Sequence, residues 1–318
     1  MSASPDPHFY RSFLGQTVSS LGIGTYLGKA DDAADAAYTG ALVAAAQNGI
    51  NFFDTAINYR HQRSERCVAA VVKQFDRTQL VICTKAGFLT PGAVPSFLQK
   101  EDVVGGMHSM DAEFLADQIE RSRANLGIDT IDVFYLHNPE TQLGFVGRDQ
   151  FEARLRRAFA HLERLVEQHK IRWYGAATWE GFRKKGALDL PRMVQIATEE
   201  GGRDHHFRAI QLPFNLGMVE AFVDRPESVL EAAARLGIAV VASGTLQQGQ
   251  LLHHMPDRLA SLLPGLTTDA QRAIQFTRST PGIAVALVGM GRREHVLENL
   301  GVAQVPPLPR DAYLRFYQ

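Results

Sequence analysis

The strongest constraint on the fold is an alternation of two kinds of segment. Short apolar runs bounded by glycine, proline or polar residues occur at residues 21–26, 51–56, 80–86, 131–137, 171–178, 207–213, 238–243 and 282–290. Between them lie segments in which apolar residues recur at three and four, such as 38–48, 111–126, 150–169 and 228–236. The short runs read as buried strands, and a helix between two strands is the connection that parallel pairing requires. Eight such units close into a (β/α)8 barrel, an α/β fold, more readily than they spread into an open sheet. Residues 9–14 and 17–20 flank Gly15 and Gln16, a turn signal that predicts a small N-terminal hairpin. No linker, charge block or low-complexity tract divides the chain, so residues 1–318 read as one domain.

The barrel expectation gives the irregular spacings a meaning. Extra chain lies at residues 88–110, 138–149 and 247–266, each stretch following a strand. All three would therefore lie over the C-terminal face, where barrel enzymes bind their substrates.

Four ionisable residues fall at that face. Asp54 sits late in GINFFDTAINYR, Tyr59 follows five residues on, Lys85 lies in VICTKAG, and His137 closes the strand of DVFYLHNP. Asp54 and Tyr59 alone are as consistent with a salt-bridged loop as with catalysis. The four together have a specific logic. A buried Lys85 balanced by Asp54 stays charged, and its field beside Tyr59 favours phenolate and lowers the phenol's pKa. A phenol tuned in this way can donate a proton to a carbonyl oxygen as charge develops there, with His137 holding the same oxygen.

These motifs resemble the aldo-keto reductase superfamily over nearly the whole chain. GINFFDTAINYR is similar to that family's strand-two signature, Lys85 stands in its Thr-Lys context, and His137 precedes Asn-Pro. The N-terminal hairpin with LGIGTYLG, Gln211 in IQLPFN, LQQG after strand seven and HVLENL after strand eight also match. The resemblance implies a (β/α)8 barrel that reduces an aldehyde or ketone with NADP(H) extended across the C-terminal face. In that reading Tyr59 is the proton donor, Asp54 and Lys85 tune it, and His137 orients the carbonyl. The cofactor positions it implies are Gly24, Thr25, Thr178, Gln211, Ser243, Leu246, Gln248, Gly249, Glu298 and Asn299. Arg292 and Arg293, on the turn into the last long helix, suit an adenosine 2′-phosphate and favour NADP over NAD.

Two departures from the family pattern leave a second reading open. Ala177 and Thr178 stand where the family commonly has Ser-Asn to hold the nicotinamide carboxamide. Ser243, Gly244 and Thr245 stand where it commonly has a stacking Tyr, then Ser and Pro. A barrel of this descent without the cofactor would use Tyr59, Lys85 and His137 for elimination or isomerisation, or would serve as a regulatory subunit.

Other signals narrow the partners. A formal net charge of -1 gives no nucleic-acid footprint. The N-terminus lacks a basic segment followed by an apolar one, and no run of about 18 apolar residues appears. A cytoplasmic protein with no membrane partner is expected, and Cys67 and Cys83, inside apolar patterns, suit a reducing compartment. His205–His206 and His253–His254 are adjacent pairs without a third ligand in register, so no metal is expected. The glycines of Gly22-Ile-Gly24-Thr-Tyr-Leu-Gly28 miss the spacing of a dinucleotide fingerprint and read as a strand turning into its loop. Arg60, His61 and Arg63 would contact an anionic substrate, or be solvated or paired near Glu65 and Asp76. Trp179 and Tyr26 read equally as pocket walls and as core. A small carbonyl compound is the partner this reading requires, and no signal bears on oligomeric state.

Overall fold

Eight strands pair in parallel and close on themselves in the computed structural model, which describes residues 5–252 and 255–318. They are β1 (Leu21–Gly24), β2 (Phe52–Asp54), β3 (Val81–Ala86), β4 (Ile131–His137), β5 (Ile171–Ala177), β6 (Phe207–Pro213), β7 (Ala239–Ser243) and β8 (Ile283–Gly289). Each pairs with its successor, and β8 returns to β1 with Ala286 opposite Leu21. The principal helices between and after them are α1 (Asp32–Gln47), α2 (Arg63–Val72), α3 (Ala112–Leu126), α4 (Arg148–Glu167), α5 (Leu190–Gly201), α6 (Val229–Leu236), α7 (Asp269–Ser279) and α8 (Arg293–Asn299). The barrel is the one expected from the alternation. The first four residues and the His253–His254 pair lie outside the described residues.

Period-two alternation decides what each strand sends inward. Phe52, Val81, Cys83, Val133, Tyr135, Ala209 and Val241 pack in one buried cluster inside the barrel. Continuing the same faces upward brings Asp54, Lys85, His137, Gln211 and Ser243 to the C-terminal rim, one layer above that core. The predicted hairpin is present, Tyr10–Phe13 paired with Gln16–Ser19. Phe13 and Val18 join the inner cluster, and Phe13 meets the Phe52 ring edge-on at 5.2 Å. The hairpin therefore packs against the barrel interior, and the strands' polar ends form the opposite mouth. A second, larger cluster fills the space between strands and helices, with Ile23, Leu42, Phe53, Val68, Phe114, Phe134 and Phe159 among its buried members.

The helix starts follow local capping chemistry. Asp31, Asp111, Ser228 and Thr268 each accept a backbone N–H at the head of α1, α3, α6 and α7. Helix α1 opens at Asp32, well before the apolar period begins at Tyr38, because its first turns are the small and acidic residues DAADAA, which carry no stripe. The long insertions carry small elements of their own: a two-stranded ribbon Val103–Val104 with His108–Ser109, a 3-10 turn Pro139–Gly144 and a short helix Asp257–Ser261. Among the described residues no helix is long and apolar enough to cross a membrane.

Candidate active site

The four residues singled out from the sequence converge at the barrel mouth. Lys85 Nζ donates to Asp54 Oδ1 at 2.5 Å and to the Thr55 carbonyl at 2.8 Å, while Gln211 Nε2 donates to Asp54 Oδ2 at 2.8 Å. The Lys85 ammonium also lies 5.0 Å from the centroid of the Tyr59 ring. Tyr59 is flanked edge-on by His137 at 5.6 Å and by Tyr26 at 5.0 Å.

The loop that carries Tyr59 turns sharply just beyond it. Arg60, His61 and Gln62 run consecutively through the left-handed region, with φ of 49°, 54° and 70°. Non-glycine residues hold that conformation only where their surroundings fix it. Arg60 supplies the restraint: its buried guanidinium donates to the Lys29 carbonyl at 2.7 Å, bonds the Asp35 carboxylate and lies 5.0 Å from the centre of the Tyr38 ring. Arg63 bonds Asp35 and Asp32. The paired alternative for these cations is therefore the correct one, but the partners are Asp32 and Asp35 of α1 and not Glu65 or Asp76. Glu65 is instead wholly buried, accepting from Thr84 Oγ1 at 2.7 Å and Asn125 Nδ2 at 2.8 Å, which ties α2 to β3 and α3.

Electrostatics correct one expectation. Burial pushes the Tyr59 phenol up, and the Lys85 charge, the largest opposing influence, does not reverse it. In this structure the phenol is raised, not lowered, because a half-enclosed phenolate loses more hydration than one cation returns. The phenol consequently holds its proton at neutral pH, the form an acid requires. Burial lowers Lys85, but the fields of Asp54 and Tyr59 more than compensate and hold it protonated. Burial likewise raises the Asp54 carboxyl against the donors Lys85 and Gln211. Burial, with Lys85 adding to it, drives His137 well below the ordinary histidine value, so its imidazole is neutral.

Behind His137 lies a buried relay that sequence reading missed. His108 Nε2 lies 2.8 Å from the His137 carbonyl, and Gln142 Nε2 donates to His108 Nδ1 at 2.9 Å, which assigns the His108 proton to Nε2. Arg154 donates to Gln142 Oε1 at 2.5 Å and to the Glu101 carbonyl at 3.0 Å. Phe88 stands edge-on to both His108 and His137, each at 5.1 Å. The gap between the ends of β3 and β4 is filled by this ring: a Cβ on Gly87 would come within 2.7 Å of both His108 Nε2 and the His137 carbonyl oxygen. Burial pushes His108 down to about 4. Between about 6.5 and that value the unfolded chain binds a proton the folded chain refuses, so the neutral ring's stability is complete above 6.5 and is lost as pH falls. The full loss attributable to His108 is about 3 kcal/mol. His108→Gln, which retains a donor for the His137 carbonyl, is expected to flatten the decline in unfolding free energy between pH 7 and pH 5. Equal slopes in urea titrations of the two proteins would contradict this.

A cavity of about 900 Å³ runs over the mouth from these residues to α8. Gly24, Thr25, Thr178, Gln211, Ser243, Leu246, Gln248, Gly249, Glu298 and Asn299 all line it, as do Asp54, Tyr59 and His137. Lys85 sits beneath Asp54 and is not part of the wall. Arg292 and Arg293 do not line it; both are exposed at the head of α8. Trp179 and Tyr26 are walls and not core: both line the cavity, and they are 42% and 56% exposed. His295 also faces the cavity, and its signal was available: with Glu298 and Asn299 it makes an i, i+3, i+4 set on one helix face. Glu140, a second missed residue, holds the end of β5 by accepting the backbone N–H groups of Trp179, Glu180 and Gly181 at 2.9, 3.0 and 3.1 Å. Among the described residues no group of three metal-ligating side chains occurs, and His206 Nδ1 instead meets Glu163 Oε2 at 2.7 Å.

The cavity holds polar atoms suited to a ligand. Thr245 Oγ1, Asn299 Oδ1 and His137 Nδ1 belong to residues that line it, and each is buried without a hydrogen-bond partner. Buried polar atoms rarely stay unpaired without reason. The residues present thus fit an extended, polar molecule.

A (β/α)8 barrel with a carboxylate, lysine, phenol and histidine joined at its C-terminal mouth defines a narrow class. The Aldo/keto reductase family profile matches residues 20–261, and the chain belongs to that family. A D-threo-aldose 1-dehydrogenase from a Pseudomonas species is 27% identical over 226 residues, a match spanning 68% of this chain and 62% of that protein, less than two thirds of its length. Among solved structures, an aldo-keto reductase from Klebsiella pneumoniae in complex with NADPH is 20% identical, with 99% of this chain and 94% of that one covered and a TM-score of 0.69. A glycerol dehydrogenase from Gluconobacter oxydans is 18% identical, with 98% and 95% covered and a TM-score of 0.74.

Proposed function

We propose that this chain is an NADP-dependent reductase that converts a small aldehyde or ketone to the alcohol, with Tyr59 as the proton donor. The observation that carries the reading is the convergence of Tyr59, the Lys85–Asp54 pair and His137 on one end of the cavity. When NADPH is bound, its reduced nicotinamide supplies the hydride. The protein's part is to hold and polarise the carbonyl. His137 offers a neutral imidazole beside the Tyr59 ring, so the two groups can share one carbonyl oxygen. As negative charge builds on that oxygen the phenol gives up its proton, and the Lys85 ammonium stabilises the phenolate left behind. Asp54, fixed by Gln211, keeps that ammonium in place.

Gln211, Thr178, Thr245, Gln248, His295 and Asn299 are the side chains available to hold the cofactor, and the orphaned oxygens of Thr245 and Asn299 favour this reading over a cofactor-free one. Arg292 and Arg293 stand exposed beside His295, with no ion pair among the described residues, and are suited to a 2′-phosphate. Cys67 and Cys83 are buried and unpaired, in keeping with a cytoplasmic setting. Fluorescence titration tests the cofactor assignment. NADPH is expected to bind more tightly than NADH, and Arg292→Ala with Arg293→Ala should cost roughly ten-fold or more in NADPH affinity while leaving NADH unchanged, each charge-assisted bond being worth about 1.5 to 3 kcal/mol. Equal losses for both cofactors would move the 2′-phosphate elsewhere.

A further inference from the structure

Around Tyr59 and His137 the cavity wall is largely aromatic and aliphatic. Tyr26 leans edge-on against Tyr59, Phe88 against His137, and Trp179 follows the β5 end, where Ala177 pairs with His137. Leu27, next to Tyr26, lines the same cavity and is 43% exposed. The polar groups added at this end, Asn58 and Asn138, carry uncharged amides.

A cation is what this wall lacks. Among the described residues, no lysine or arginine lines the cavity. Two cations of the loop after β2 are engaged elsewhere: Arg60 is buried on Asp35 and the Lys29 carbonyl, and Arg63 is bound to Asp32 and Asp35; Lys29, two residues beyond Leu27, is exposed but does not line the cavity. Lys85 is committed to Asp54. A carboxylate or phosphate entering beside Tyr26 and Trp179 would surrender its water with no cation to receive it. A polyol would surrender several hydroxyl hydrations to rings and a leucine. An alkyl or aryl body, in contrast, would cover apolar surface that the free chain leaves exposed to water.

We propose that the substrate is an uncharged aldehyde or ketone with an apolar, alkyl or aryl body, held by Tyr26, Leu27, Phe88 and Trp179. This rests on the carbonyl-reductase reading and narrows it to one substrate class. Asn138 then leaves room for one neutral hydrogen-bonding group near the carbonyl, and Leu27 and Tyr26 set the preference against charge.

The test uses a pair of aldehydes of nearly equal shape and opposite character. With NADPH in excess, 4-nitrobenzaldehyde is expected to be reduced with a kcat/KM at least ten-fold above that of 4-carboxybenzaldehyde, and hexanal at least ten-fold above DL-glyceraldehyde. Tyr26→Ala should raise KM for 4-nitrobenzaldehyde several-fold with kcat little changed, because uniform binding area is what it removes. Leu27→Arg should raise kcat/KM for 4-carboxybenzaldehyde ten-fold or more and lower it several-fold for hexanal, so that the preference between charged and apolar bodies narrows or reverses. Calorimetric binding of benzyl alcohol and of 4-(hydroxymethyl)benzoate to the NADP-saturated protein reads the same preference without turnover. A higher kcat/KM or tighter binding for the charged partner, or glyceraldehyde ahead of hexanal, overturns the substrate class while leaving the reductase reading intact. Absence of NADPH binding together with tight binding of the neutral alcohol would reject the reductase reading and retain the wall's preference.

Discussion

Tyr59→Phe is expected to remove turnover, by about 10² to 10⁴-fold in kcat, with cofactor binding nearly unchanged. The substitution deletes only the phenolic oxygen; the ring still fills the space between Tyr26 and His137 and still faces the Lys85 ammonium. The raised phenol pKa sharpens the expectation, since the wild-type group is protonated at neutral pH and the variant has no proton to give. Steady-state rates with the variant, alongside an NADPH titration, separate the two effects. Activity retained within a few-fold would remove Tyr59 from the acid's role.

Lys85→Met has the largest expected effect on both activity and stability. Asp54 and Lys85 are both buried, and the pair is closed at 2.5 Å. Removing the cation leaves the Asp54 carboxylate with the Gln211 amide as its remaining donor, and breaking a buried pair in this way costs about 3 to 5 kcal/mol. Protonation of Asp54 relieves part of that loss, so the variant should lose less stability at pH 5 than at pH 8. Activity should fall by at least as much as in Tyr59→Phe, because the phenolate left after proton transfer would have no counter-charge. Chemical denaturation at the two pH values checks the stability half, and a variant that unfolds like wild type would show that the ammonium does not sustain the site.

Much of this was legible in the chain because the relevant physics is local. The strand-helix alternation gave the barrel, and period two within VICTKAG and DVFYLHNP was enough to bring Lys85 and His137 to one mouth. What escaped depends on residues distant in sequence. Glu140 reaches the backbone of residues 179–181, and His108 reaches the His137 carbonyl, across separations no motif encodes. The partners of Arg60 and Arg63 were misplaced for the same reason: nearby acids in the chain were weighed, but the helix packing brought Asp32 and Asp35 of α1 against the loop. The direction of the Tyr59 shift failed differently. Charges can be counted in a sequence, whereas the desolvation that outweighed them arises only when the mouth is enclosed.

In the proposed reaction a hydride passes from a bound cofactor to a carbonyl carbon while Tyr59 protonates the oxygen. Transfer of label measures the first half directly. The protein would be incubated with 4-nitrobenzaldehyde and NADPH carrying deuterium at nicotinamide C4, prepared separately as each of the two stereoisomers. The account predicts one deuterium on the alcohol's carbinol carbon from one stereoisomer only, and the same label lost in proportion to turnover in Tyr59→Phe. Alcohol formed without deuterium from either stereoisomer, or no alcohol formed by protein that binds both NADPH and the aldehyde, would contradict it.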